Sequence, residues 1–385
     1  MNRSTVIAGL GITEMGKVYG RSAPEFAAEA VRLAVADAGL ETHQVDGLLT
    51  NTGLTRDVGL GLQRDLGLRH LRMLSEVQGY GSSAGAMVQY ASMAVAGGMA
   101  DVVACVFADA PLRDKGSGSA YARTSRTPTG WRGLAAASGI HSANTLYALA
   151  ARRHMVAYGT TSEQFGHIAV AQRAWAAKNP LAQMRDPITI EDHQSSRWIA
   201  EPFHLLDCCL VSNGGVAVIV TSADRAADLA RPPVHILGWG QAHPGYVMGR
   251  GSEFGLVSGA AVSGSTALKM AGVTLADIDV VELYDCYTYT VLISLEDYGF
   301  CAKGEGGDFV SSGVLGPEGS LAVNTGGGQL SSYYMWGMTP LSEAVIQARG
   351  QGGDRQAPEH DLVLVSGNGG VLDHHSTLVL SPHAR

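Results

Sequence analysis

Two stretches of this chain read alike, and a chain that repeats itself is confined to folds that can be built twice. Val6 to Gly11 reads VIAGLG and Val234 to Gly240 reads VHILGWG, each a short apolar strand ending in glycine. A helix follows the first over 23–39, with Phe26, Ala27, Ala30, Val31, Ala34 and Ala38 at helical spacing, and its counterpart runs over about 260–272. Beyond each helix the chain repeats in register: AGLETHQVDGLLT from Ala38 and AGVTLADIDVVEL from Ala271. Gly39 matches Gly272 and Asp46 matches Asp279, both 233 positions apart. A third match pairs ADVVACV at Ala100 with HDLVLV at His360. Each half thus reads β-α-β-α-β, with apolar strands of the kind buried on both faces of a mainly parallel sheet.

This organisation divides the chain into a first half over 1–108, an insertion over 109–212, a last strand of the first half with its linker over 213–231, and a second half over 232–385. Within the insertion, Arg113 to Gly133 is polar, rich in Gly, Ser and Arg, and without period, the pattern of a loop that lines or covers a site. Helices are predicted over 145–158, 162–178 and 341–350. An extended segment is expected over 180–192, a strand over 216–221, and two strands around the turn SGNGGVLDHH near the C-terminus.

A length of 385 residues, 46% hydrophobic and 16% charged, supports two domain-sized cores. The net charge of −8 leaves no general basic face for nucleic acid. Five cysteines (Cys105, Cys208, Cys209, Cys286, Cys301), odd in number and without a CxxC pair, define neither a disulfide framework nor a metal site. No apolar run reaches the roughly 18 residues of a membrane span, and the N-terminus runs straight into a strand pattern. A cytoplasmic protein that does not engage membranes is expected.

The stretch from Asn324 to Leu341, NTGGGQLSSYYMWGMTPL, concentrates the chemistry. Gly326, Gly327 and Gly328 let backbone approach a ligand closely. Tyr333 and Tyr334 fall where a helix is predicted to begin, facing unpaired N–H groups and the positive end of its dipole. Further candidates are Tyr284 and Asp285 at the end of the strand from Val280, where open sheets bind ligands, Asp285 serving either to orient a tyrosine or water or to cap the next helix. His243, His374 and His375 are potential proton carriers, read here as structural.

Four segments together resemble the thiolase superfamily. NTGGGQLSSYYMWGMTPL resembles the family's asparagine-glycine-glycine run before Gly-His-Pro, and VELYDCYTYT the segment carrying Asn-Glu or His-Asp. SGNGG at Ser366 resembles the Cys-x-Gly loop, and QGYGSSAGAM at Gln78 the loop and helix start that hold the nucleophilic cysteine. The resemblance implies an α/β thiolase fold, two pseudo-symmetric βαβαβ halves in a five-layered α-β-α-β-α arrangement. Yet Gly81 or Ser82 stands where a thiolase has its nucleophilic cysteine, Tyr334 where it has the activating histidine, and Ser366 where it has the second cysteine. A thioester intermediate needs an activated thiolate, so thiolysis is not expected.

The stretches from Pro187 and from Tyr284 resemble the steroid side-chain-cleaving aldolases, thiolase relatives without those cysteines; Asn213-Gly214-Gly215 replaces the usual Asp-Gly-Ala. That resemblance implies retro-aldol cleavage of a β-hydroxyacyl-CoA on a 17-hydroxy-type steroid to a ketone and propionyl-CoA. Tyr246 and Tyr334 are the implied proton-transfer pair, with Asp285 in support. Backbone N–H groups near Gly81, Ser82 and Ser83, and near Ser366, Gly367, Asn368 and Gly369, are expected to hold the enolate oxygen, with Tyr284 alongside. Gly81 is expected to open room for the substrate ring. Arg123, Arg126, Arg132 and Lys303 are candidates for the CoA phosphates. No cofactor is expected beyond the CoA of the substrate. The family implies a homodimer through the edge strand near Leu71 to Val77 and a two-plus-two heterotetramer with a small OB-fold and zinc-ribbon partner, zinc belonging to the partner alone. The rival readings are a thiolase-like acyltransferase using Ser82 or Cys286, and a non-catalytic acyl-CoA- or lipid-binding subunit.

Overall fold

The computed structural model describes residues 4–115, 129–226, 229–245 and 249–384, with only the backbone at 131 and 132. Ten strands form one sheet that is two copies of a five-stranded order set edge to edge. In the first copy β1 (Thr5–Ile12), β7 (Gly214–Ser222), β4 (Val102–Asp109), β2 (Gly47–Asn51) and β3 (Met73–Glu76) lie side by side. In the second, β8 (Val234–Ala242), β12 (His374–Ser381), β11 (Val363–Gly369), β9 (Val280–Glu282) and β10 (Ala322–Val323) repeat that order. The copies join where β1 and β8 pair antiparallel at Val6 and Ile7. β7 and β12 run against their neighbours and the other strands of each copy run parallel. Each half therefore has five strands, two more than the β-α-β-α-β reading.

The repeated residues do the same work twice. Asp46 accepts the N–H of Val102 at 2.8 Å, and Asp279 that of Leu362 at 2.8 Å, so each carboxylate pins the start of its half's central strand. Gly39 and Gly272 both end a helix in the left-handed conformation, φ +73° and +69°. Those helices are α1 (Ala23–Asp37) and α9 (Ala260–Ala271). They lie directly on the glycines of β1 and β8: a Cβ at Gly9 would come within 2.0 Å of Ala34 O, and one at Gly238 within 2.1 Å of Ala267 O.

α3 (Ser83–Ala96) and α12 (Met338–Ala348) lie between the halves, each touching strands of both. α1 covers the outside of the first sheet, and α9 with α10 (Thr288–Tyr298) the outside of the second, giving the order α-β-α-β-α. α3 is apolar nearly all round: Met87, Val88, Ala91 and Val95 are buried alongside Ser83, Gln89 and Ser92, and only a side bearing Tyr90 and Met93 is exposed. The short helices α2 (Leu62–Asp65), α8 (Ala223–Ala226) and α11 (Gly306–Ser311) sit at the periphery.

Between β4 and β7 come α4 (Trp131–Ala137), α5 (Ala143–Tyr158), α6 (Ser162–Ala177), α7 (Ile190–Ser195) and the small pair β5 (Trp198–Ala200) and β6 (Phe203–His204). The segment read as extended over 180–192 ends in α7, because Thr189 caps a helical turn by accepting the Asp192 N–H at 3.1 Å. α6 packs against the second half, where Trp175 donates to Leu315 O at 2.9 Å.

Candidate active site

The site is built from the glycine run upward. Asp285 is fully buried just beyond β9, and its carboxylate accepts the N–H of Gln329 at 2.9 and 2.8 Å and of Leu330 at 3.1 Å. Burial raises its pKa to about 7 even though those N–H groups favour the charged form. Gly328 has φ +59°, and a Cβ there would sit 2.1 Å from Asp285 Oδ2; one at Gly327 would sit 2.5 Å from the Ala176 Cβ. The protein's own close approaches thus require glycine at both positions. Asp285 shapes the loop rather than capping α10, whose N-cap is Tyr287. The insertion braces the same loop: Asn179 donates to Gly326 O at 2.8 Å and Arg173 to Ser331 Oγ at 2.9 Å.

A wide turn over Gly328–Ser332 then delivers the tyrosines in extended backbone, Tyr333 at φ −154° and ψ 162°. Helix α12 begins only at Met338, so the expected helix start at the tyrosines, with its dipole, is not there. A turn closed by Thr339, which accepts the Met335 N–H at 2.9 Å, stands between them. Tyr333 points inward to Ser342 Oγ at 2.7 Å. Tyr334, half-buried, is held by its N–H to Ser212 Oγ at 3.0 Å, and its phenol meets that of Tyr284 at 3.2 Å.

Gly81 explains where Tyr284 lies. A Cβ at Gly81 would be 2.2 Å from Tyr284 Cε2, 2.3 Å from its Cζ and 2.2 Å from Asn368 O. The space expected for a substrate ring is therefore filled by the Tyr284 phenol, which takes the place a side chain at position 81 would occupy. Burial pushes the Tyr284 pKa well above that of an ordinary tyrosine, and Tyr334, Cys286 and Tyr147 push it the same way. Ser82 Oγ donates to Gly79 O at 2.7 Å, and Ser83 Oγ accepts the Gly79 N–H at 2.8 Å, so both hydroxyls serve the loop that carries Gly81.

Ser366, Gly367, Asn368 and Gly369 form a strand, not an open loop: each pairs with a residue of β12 from His374 to Thr377. Ser366 Oγ faces His375 Nε2 at 2.9 Å, and Tyr298 Oη shares that nitrogen at 3.1 Å. Burial lowers the His375 pKa to about 3, so it stays neutral. Asn368 Nδ2 donates to Tyr147 Oη at 3.1 Å, and Tyr147 donates to Gly370 O at 2.5 Å. Tyr147, on α5, is a site residue that sequence reasoning missed, since a tyrosine on an inserted helix carries no local motif.

Other candidates stand apart. Lys303 lies 3.1 Å from Glu296 and 2.5 Å from Asp297, ion-paired with both. His243 and His374 face each other at 3.0 Å on the exposed rim, where Tyr80 stacks on His374. Tyr246, Arg123 and Arg126 lie outside the described residues, as does the side chain of Arg132. Burial pushes the Cys286 thiol up to about 12, far from a thiolate at neutral pH. What the geometry offers is a pair of phenols in contact, able to pass a proton, beside the backbone of Gly81.

Two five-stranded halves around a central pair of helices define the thiolase superfamily, and this chain is a member; the thiolase C-terminal domain-like family matches residues 240–382. It is 40% identical over 378 residues to a steroid side-chain-cleaving aldolase of Thermomonospora curvata, covering 95% of each chain. It is also 40% identical to a 17-hydroxy-3-oxo-4-pregnene-20-carboxyl-CoA lyase of Mycobacterium tuberculosis, over 96% of this chain and 97% of that one. A solved structure described as an Ltp2-ChsH2(DUF35) aldolase superimposes with a TM-score of 0.86 at 40% identity, covering 98% of this chain and 97% of the other. Within the superfamily the chain belongs to the steroid side-chain-cleaving aldolases.

Proposed function

We propose that this protein is a carbon–carbon lyase that cleaves the side chain of a 17-hydroxy-type steroid β-hydroxyacyl-CoA, releasing a steroid ketone and propionyl-CoA. The observation that carries this reading is the Tyr284–Tyr334 contact in the space that a side chain at Gly81 would need. Proton transfer can run there, and thioester chemistry has no activated thiol to use.

In the retro-aldol direction the β-hydroxyl proton leaves, the Cα–Cβ bond breaks, and its electron pair becomes the enolate of propionyl-CoA while the β-carbon becomes the ketone. Tyr334, the less buried phenol, takes the hydroxyl proton and in the same step gives its own phenol proton to the enolate carbon. Tyr284, whose ionisation burial opposes, stays protonated and donates to the Tyr334 oxygen as the two protons cross there. Tyr334 ends as it began, so no proton is gained or lost overall. Tyr284, rather than Tyr246, is assigned as the second phenol because it touches Tyr334. General acid–base help of this kind is worth about 10²–10⁴ in rate.

The assembly proposed is two copies of this chain with two of a small OB-fold and zinc-ribbon partner, in line with the named composition of the Ltp2-ChsH2(DUF35) structure. The two copies meet through β3, beside which Tyr90, Met93 and Met99 are exposed on a groove also lined by Met73 and Val77. Arg123, Arg126 and Arg132 are proposed for the CoA phosphates, and no cofactor beyond CoA is needed. No helix among the described residues is long and apolar enough to cross a membrane, and a cytoplasmic location is proposed. The test is to incubate the complex with a tertiary β-hydroxyacyl-CoA and assay ketone and propionyl-CoA together. Binding without release of either would overturn the reading in favour of a silent subunit.

A further inference from the structure

We infer that the side-chain oxygen of Asn368 is a hydrogen-bond acceptor for the substrate's β-hydroxyl, held in that orientation by Tyr147, and that it selects β-hydroxyacyl-CoA over thioesters lacking a donor there. The inference rests on the aldolase reading above and names the group that recognises its substrate.

One hydrogen fixes the orientation of the Asn368 amide. Tyr147 has a single O–H, and it is spent on Gly370 O, which can only accept. Towards Asn368 the Tyr147 oxygen must therefore accept, so the amide group facing it at 3.1 Å is the NH₂. An amide whose orientation is ordinarily ambiguous is thereby fixed. Its other end, Oδ1, is left buried with no partner among the described residues, on a residue that is 1% exposed. An orphaned acceptor in a buried site carries a desolvation cost, and buried polar groups normally have partners.

The place is the reactive one. The backbone of Asn368 and the Tyr284 ring both lie about 2.2 Å from where a Gly81 Cβ would stand, and the Asn368 side chain reaches Tyr147, which is near enough to Tyr284 to oppose its ionisation. In the bound ground state a β-hydroxyl brings one donor, which Asn368 Oδ1 holds until the carbon–carbon bond breaks and the proton passes to Tyr334, whereas a β-keto group brings only acceptors. An acceptor of fixed polarity thus matches the aldolase substrate and repels the thiolase one. Tyr147 acts as a positioning residue and Asn368 as a specificity residue.

The test measures binding of three CoA thioesters that differ at the β-carbon, bearing hydroxyl, methoxy or hydrogen, to the intact complex carrying Tyr334→Phe so that turnover is blocked. The expected result is preference for hydroxyl over methoxy of about tenfold, abolished by Asn368→Ala, with affinity for the deoxy thioester within about twofold of the parent. Tyr147→Phe frees the amide to turn its NH₂ inward, so the hydroxyl-to-methoxy ratio falls while the deoxy affinity holds. A merely structural role would weaken all three ligands together. If Asn368→Ala does not assemble, the ratio in Tyr147→Phe decides. Cleavage of the hydroxy thioester by the wild-type complex is followed in parallel. Absence of cleavage sinks the aldolase reading and this inference with it. Cleavage together with an unchanged ratio in either variant sinks this inference alone.

Discussion

The phenol of Tyr284 stands 3.2 Å from that of Tyr334, although one arrives from the end of β9 and the other from the turn before α12. Neither element makes the contact by itself. Asp285, next to Tyr284, gathers the N–H groups of Gln329 and Leu330, and so draws the two segments together. The pair depends on a buried carboxylate that touches neither phenol's oxygen.

Phenylalanine at either tyrosine keeps the ring and removes the proton. Tyr284→Phe and Tyr334→Phe should each lower kcat for retro-aldol cleavage by about 10²–10⁴ with little change in KM. The double variant should be little worse than the worse single one, because the two act as a unit. Steady-state release of propionyl-CoA from the complex measures this, and full activity in both single variants would remove the mechanism.

Restoring a side chain at position 81 tests the packing. Gly81→Ala sets a methyl 2.2 Å from Tyr284 Cε2 and from a backbone oxygen, so the ring must move. Overpacking of this kind costs about 1–3 kcal/mol. The variant should fold, with a thermal midpoint a few degrees lower, yet lose most of its activity. Wild-type turnover in Gly81→Ala would mean the Tyr284 position is not needed.

How much of this could be read from the chain follows from the range of each interaction. The duplication was legible because Asp46 and Asp279, and Gly39 and Gly272, meet identical local demands in both halves. Tyr334 was singled out by its motif. The partnership of Gly81 with Tyr284 was not: a glycine announces only that space is needed, and what fills it comes from the other half of the molecule. The glycine run is another such case, since what a side chain there would meet is Asp285 and Ala176 from elsewhere in the fold. The expected helix start at Tyr333 failed because the wide turn and the Thr339 bridge delay α12 to Met338.

Thiol chemistry makes a separate prediction. With the Cys286 pKa raised to about 12 and its side chain buried, alkylation by iodoacetamide at pH 7.5 should leave activity intact. Cys286→Ser should retain activity within a fewfold. Stoichiometric inactivation mapped to Cys286, or an acyl-enzyme trapped with acetyl-CoA, would revive the acyltransferase alternative.

Asp285 sets a pH dependence whose sign can be worked out. Its folded pKa, about 7, lies above the value near 4 of an unfolded aspartate, so the folded state holds the proton more tightly. Stability is then greatest below about pH 4 on this account and falls as pH rises to about 7, by a few kcal/mol at most. Asp285→Asn removes that titration but turns an amide NH₂ towards the Gln329 N–H, so the loop loosens. Urea midpoints at pH 4.5 and 7.5 should differ less in Asp285→Asn than in wild type, with kcat reduced at both. An identical pH difference in the two proteins would dismiss Asp285 as the titrating group.

Behind the glycine run two carboxyl groups, Glu282 and Glu343, share the hydroxyl of Thr325 at 2.8 and 3.1 Å. That hydroxyl has one hydrogen and cannot donate to both. Burial, with the Glu343 charge beside it, raises the Glu282 pKa well above an ordinary glutamate, so Glu282 supplies the missing proton and Thr325 donates to Glu343. The Glu343 charge is met by Arg355 at 2.8 and 3.1 Å. Removing only the cation leaves a buried charge uncompensated, which costs about 3–5 kcal/mol. Arg355→Met should be destabilised by that amount. Arg355→Met with Glu343→Gln should recover most of the loss, because the carboxylate is removed with its partner. Denaturant titrations at pH 8 measure both effects, and an Arg355→Met variant within about 1 kcal/mol of wild type would mean that Arg355 compensates no buried charge.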